Sequence, residues 1–178
     1  MTKSKLFEIV KTHRNFLILI IIVFLLYRVL CFFIYDIRFN AGTLEVYWQF
    51  ADPVLLQNDL FRSLFYFHSQ PPLFNLFIGV ILKLFPIHHI NYHVFFLLYF
   101  SLGLIFALSL FLTMASLNVH VVLNLILTII FISKPSTILY ENWLMYTYPV
   151  SVLLCLSVFF LHRYSIEEKG IYGVIFLS

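Results

Sequence analysis

The chain has 178 residues, 62% of them hydrophobic and 20% aromatic, with a formal net charge of +3. Only 11% are charged, against about 25% in soluble domains, and a mean hydropathy of +0.99 excludes a water-facing globular surface. The small net charge, with no basic stripe, excludes nucleic acid as the partner. What remains is an all-α fold: a polytopic transmembrane helical bundle whose first partner is the lipid bilayer.

In chain order, Met1–Arg14 carries Lys3, Lys5, Lys11 and Arg14 against Glu8 alone. Basic flanks stay cytoplasmic, so the N-terminus is expected inside. Asn15–Tyr35 is the first span, about 30 Å at about 1.5 Å per residue. It is too long for a signal-peptide core, and no small-residue cleavage pattern follows it. Arg28 interrupts the span; its charge must either snorkel to the surface or face a polar cavity. Cys31 and Cys155 lie in apolar segments and read as small buried hydrophobes rather than a disulfide or a metal pair.

Residues 36–70 form the first external loop. Leu44, Tyr47, Trp48 and Ala51 recur at helical spacing, the pattern of an amphipathic helix lying in the interface. Asp52-Pro53 reads as an N-cap followed by Pro at the first helical position. Asn58-Asp59 reads as a turn capping a further short helix, Leu60–Phe67. Asp52 and Asp59 therefore have structural explanations, whereas Glu45 has none. His68-Ser69-Gln70 precedes Pro71-Pro72, which forbids a smooth helix across the junction and starts the next one. Those three polar residues read either as an ordinary turn or as neighbours of a helix N-terminus suited to an anion such as phosphate.

Apolar helices are expected over 71–133. Pro71–Pro86 stops just short of the ~17–25 residues needed to span. His88, His89 and His93 follow; His89 and His93 are four apart, but interfacial anchoring explains them better than a shared metal, and no metal ligand is assigned. No Asp, Glu, Lys or Arg occurs from Val94 to Ser133, which predicts two spans joined by a tight turn near Thr113–His120. Tyr140-Glu141-Asn142-Trp143 is a polar pause with a carboxylate. Residues 145–162 form a further span, and 171–178 begin an apolar helix too short to cross a bilayer, which predicts a truncated chain. All of 1–178 reads as a single transmembrane domain.

The series Leu44-Glu45-Val46-Tyr47-Trp48, Ala51, Leu55-Leu56, Asn58-Asp59 and Pro71-Pro72-Leu73, with Tyr140-Glu141-Asn142-Trp143 further on, carries a family resemblance. It resembles the N-terminal part of membrane glycosyltransferases of the GT-C type, which include protein O-mannosyltransferases and the aminoarabinose transferases of lipid A. The resemblance implies transfer of a sugar from a polyprenyl-phosphate donor to an acceptor at the external face of a bacterial plasma membrane or endoplasmic reticulum. It implies Glu45 as the catalytic base, with Asp52 as the competing candidate. His68 and Gln70 would face the donor phosphate, as would Arg28 if it faces a cavity. Glu141 would be a second acid at the site; some relatives use a divalent metal there, and no cofactor is assigned. Two departures stand out. Leu44 occupies the place of the family's first acid, and Gln70 replaces the lysine often found before Pro-Pro; a neutral amide holds an anion more weakly than an ammonium.

Two other readings stand beside this one: an inactive transferase remnant, and a non-enzymatic membrane protein such as a transporter subunit. A transporter would carry ionisable residues or broken helices near midplane, whereas most polar groups here sit at helix ends. One conflict is also visible. Three crossings between the first loop and Glu141 would put Glu45 and Glu141 on opposite sides, and a shared site requires an even number.

Overall fold

The computed structural model describes residues 5–46, 51–66, 72–167 and 170–177; the side chains of 5–8, Glu45, Val46, His88, His89, Glu167 and Leu177 are not described. Among the described residues the chain is helical, with no named strand. The order is α1 Lys5–Thr12, α2 Arg14–Ile34, α3 Thr43–Val46, α4 Pro53–Asn58, α5 Leu60–Tyr66, α6 Pro72–Leu84, α7 His88–Ser116, α8 Val121–Ser133, α9 Pro135–Glu141, α10 Thr147–Glu167 and α11 Gly170–Leu177.

Three helices, Arg14–Ile34, Ile90–Ser116 and Thr147–Ile166, are long and apolar enough to cross a membrane. A fourth crossing exists if α8 and α9, bent by 58° at their junction, act as one span. The bend follows from Pro135 at the first position of α9, which forces Lys134 out of helical geometry (ψ 134°). The protein is a helical membrane bundle. In α2, Ile20, Phe24, Arg28 and Cys31 form the buried stripe, while Ile18, Ile22, Leu26, Val29 and Phe33 stay exposed. That periodicity gives the helix one face for protein and one for lipid.

The helix ends follow local chemistry. The turn between α7 and α8 has Asn118 at φ 59°, an αL position that Asn tolerates. Val119 N–H and Asn118 N–H close back on the carbonyls of Met114 and Ala115. Asp52 Oδ1 accepts from Val54 N–H at 2.8 Å, with Pro53 opening α4, the expected cap. Inside the bundle, Asn124 Nδ2 donates to the Phe111 carbonyl at 3.0 Å, so a buried amide staples α8 to α7.

α6 has 13 residues, about 20 Å at about 1.5 Å per residue, too short for the hydrocarbon core. It lies against α4: Ala51 N–H donates to Asn75 Oδ1 at 3.1 Å, and Gln57 Nε2 approaches the Leu82 carbonyl at 3.5 Å. Both its ends contact one end of the bundle. Phe74 meets Tyr146 with ring centroids 6.0 Å apart, and Leu82 and Pro86 share a cavity wall with Phe39–Leu44. α7 therefore starts at the end where α2 finishes: Tyr92 Oη donates to the Phe39 carbonyl at 2.8 Å.

Glu141 returns to that same end. Asn40 N–H donates to the Asn142 carbonyl at 2.7 Å, and Leu144 N–H donates to the Asn40 carbonyl at 3.1 Å, a short parallel bridge of Asn40 with Trp143. Thr43 Oγ1 adds a bond to the Leu144 carbonyl at 3.0 Å. Between the first loop and Glu141 the chain thus runs the length of the bundle along α7 and back along α8, while α6 lies along this end. In a chain carrying Cys31→Ala and Cys155→Ala, single cysteines at Arg38 and Tyr140 should react with an impermeant maleimide from one side of the membrane, and at Asn118 from the other. Labelling of positions 38 and 140 from opposite sides would contradict this arrangement.

Candidate functional site

Two polar constellations occupy this end of the bundle. The deeper one is an ion pair. Arg28 Nε donates to Glu141 Oε1 at 2.7 Å and Arg28 Nη2 to Glu141 Oε2 at 2.6 Å, the bidentate fork geometry that guanidinium and carboxylate favour. Arg28 is 7% exposed and Glu141 3%. Arg28 Nη1 also donates to the Ile132 carbonyl at 3.0 Å, beside the break where α8 ends. Tyr148 Oη donates to Glu141 Oε2 at 3.1 Å, and the Phe24 ring lies 4.6 Å from the guanidinium carbon, within cation–π range. Four helices, α2, α8, α9 and α10, thus meet on two side chains.

A fifth helix makes room for them. A Cβ built on Gly103 of α7 would stand 2.6 Å from Glu141 Oε2 and 3.1 Å from Phe24 Cζ. Only a residue without a side chain lets α7 pass this close. Along the outer flank of the pair runs a cavity of about 170 Å³ whose walls include Arg28, Glu141, Phe32, Phe96 and Phe100.

Arg28 therefore neither snorkels nor presents a free charge; it is spent on Glu141. Glu141, expected as a second acid at the site, is the partner of that guanidinium. Both its oxygens are engaged by Arg28 and Tyr148. Among the described residues no three His, Cys, Asp or Glu side chains come together.

The second constellation is an open cleft of about 460 Å³ formed by α4 and α5, lined by Ala51, Asp52, Asp59, Arg62 and Tyr66 among others. Asp52 spends Oδ1 on its cap, and among the described residues its Oδ2 takes no hydrogen bond. Arg62, in the middle of α5, forms no ion pair among the described residues. The cleft adjoins the start of α6 through Ala51, which bonds Asn75. Asp52 was legible as a cap; Arg62 was not singled out, although it is the one cation between Arg38 and Lys83 in the sequence. Glu45 stands in α3, beside the loop that Thr43 ties to Leu144. His68 and Gln70 lie outside the described residues.

Comparison with protein families, with curated proteins and with solved structures returns no match to this chain.

The ion pair yields a packing test. Gly103→Ala should lower stability by about 1–3 kcal/mol, because the carboxylate it would push is locked by Arg28. Gly79→Ala should cost less: there the nearest atom is Leu60 Cδ1, the mobile tip of an apolar side chain. Thermal unfolding of both variants in detergent checks the order, and equal or reversed effects would contradict it.

Proposed function

We propose that this chain is the membrane part of a glycosyltransferase that takes a sugar from a polyprenyl-phosphate donor at the end of the bundle built by α3–α6 and 142–146. The observation that carries the reading is the cleft between α4 and α5. It sets the Asp52 carboxylate and the Arg62 guanidinium in one opening, beside the start of the short helix α6. With the basic N-terminal flank inside, this end faces the external side.

Such a transfer asks for little covalent chemistry. The donor sugar already carries a phosphate leaving group. A carboxylate must accept the acceptor hydroxyl's proton as the new bond forms, and a cation must stabilise the departing phosphate. Asp52 supplies the carboxylate through Oδ2, while Oδ1 holds the side chain in place through its cap. Arg62 supplies the cation where Gln70 stands in place of a lysine, and its planar fork suits phosphate oxygens. The lipid-facing stripes beside this end let the polyprenyl chain remain in the bilayer while its head reaches the cleft. Glu45 is the alternative base, and His68 and Gln70 are further donors to the phosphate. Arg28 and Glu141 act as the frame.

The test is transfer from a polyprenyl-phosphate hexose by the full chain in membranes. Asp52→Asn should lower the rate 10²–10⁴-fold, the range of a lost general base. Its unfolding temperature should hold, because Asn caps a helix as well as Asp does. Arg62→Gln should also slow transfer. Full activity in Asp52→Asn and loss in Glu45→Gln would move the base to Glu45. No transfer by the unaltered chain from any such donor would support a non-catalytic role, a reading favoured by one observation: Glu141, the buried acid among the described residues, is engaged in an ion pair with Arg28.

A further inference from the structure

A third cavity at this end, separate from both constellations above, has a lining that points to a ligand class. It measures about 390 Å³ and lies between the 39–44 loop, α4, the end of α6 and the start of α7. That volume is within the range of small-molecule sites, about 300–1,000 Å³. Three carboxamides line it, from Asn40, Gln57 and Asn91, together with the rings of Phe39 and Tyr92. Among the described residues it has no charged wall.

The hydrogen-bonding capacity of those amides is largely unspent. Asn91 is 6% exposed, yet among the described residues its carboxamide meets no partner. Asn40 uses Oδ1 on Gly42 N–H at 2.8 Å, which leaves its two N–H donors. Gln57 approaches the Leu82 carbonyl at 3.5 Å through Nε2, which leaves its Oε1. The Asn91 amide atoms are not sealed in the core but open into the cavity, where they are free to pair with whatever occupies it. The Tyr92 hydroxyl is already given to the Phe39 carbonyl, so its ring offers a face and an edge.

We infer that this cavity binds a neutral polyhydroxylated group, a hexose or a similar sugar unit. Adjacent sugar hydroxyls each donate and accept, as carboxamides do, and the C–H face of a sugar ring packs on aromatic rings. Phosphate or carboxylate would find no cation in the described wall. A hydrocarbon chain would leave the Asn91 amide dry and unpaired. The inference does not rest on the transferase reading, since sugar binding here is read without turnover.

The full chain in phosphatidylcholine nanodiscs, free of sugar-headed detergent, should be titrated by saturation-transfer NMR. The probes are the methyl glycosides of mannose, glucose, galactose and N-acetylglucosamine, with glucose 6-phosphate as the charged comparator. At least one neutral glycoside should give a saturable signal, with its dissociation constant raised tenfold or more by Asn91→Leu and by Gln57→Leu. Gln57, on a short helix at the rim, tests the site even if the Asn91 variant misfolds. Three results would overturn the inference: no saturable binding of any glycoside, binding unchanged in a folded variant, or tighter binding of glucose 6-phosphate than of its neutral counterpart.

Discussion

A charge buried among apolar helices must be answered by another, and in this bundle Arg28 is answered by Glu141. Moving either ion alone out of water costs several kcal/mol. Their bidentate contact, with Tyr148 and the Ile132 carbonyl filling the remaining positions, makes the arrangement tolerable. The pair then dictates its surroundings. α2 must present Arg28 inward, α7 must carry glycine at 103, and α8 must end at Ser133 so that a carbonyl is free at Ile132. α9 must turn by 58° to bring Glu141 to the guanidinium. The contact also bridges the two apolar clusters: Phe24 belongs to the one with Ile20 and Phe111, Tyr148 to the one with Leu56 and Tyr99.

The shelf of short helices is built on that frame. With Glu141 fixed beside α2, the next residues lie against the loop that leaves α2, and Asn40 exchanges backbone bonds with Asn142 and Leu144. This seam holds the 36–46 loop, on whose far side sit α4, α5 and the short α6. The cleft with Asp52 and Arg62 and the carboxamide cavity with Asn91 both belong to this shelf of short helices. The long helices expose apolar side chains, while the short ones supply polar groups at the end of the bundle. The division gathers the polar side chains of the clefts at one end of the bundle.

Local signals carried much of this architecture. Composition announced a membrane bundle, and the Asp52-Pro53 cap could be read directly from adjacent residues. The first span, expected at Asn15–Tyr35, is the helix Arg14–Ile34. The turn expected near Thr113–His120 falls between Ser116 and Val121. What could not be read locally was pairing across distance. Arg28 and Glu141 are 113 residues apart, and nothing in the apolar run between them marks which acid the arginine meets. The side on which Glu141 emerges depended on whether a 13-residue helix crosses or lies flat. Its length left that undecided, and its contacts with α4 and Tyr146 lay it along the same end of the bundle as Glu141. The cleft partner Arg62 went unmarked because a lone arginine on a short amphipathic helix looks like any solvated charge.

The central claim is that Arg28 and Glu141 stabilise the bundle through each other. A double-mutant cycle with Arg28→Met, Glu141→Leu and the combined variant, measured by equilibrium unfolding in mixed micelles, tests it most directly. The account predicts that each single change costs about 3–5 kcal/mol by stranding a buried ion. The combined change should cost far less than the sum, because neither charge is then left alone. Additive costs, or single variants as stable as the parent, would contradict it.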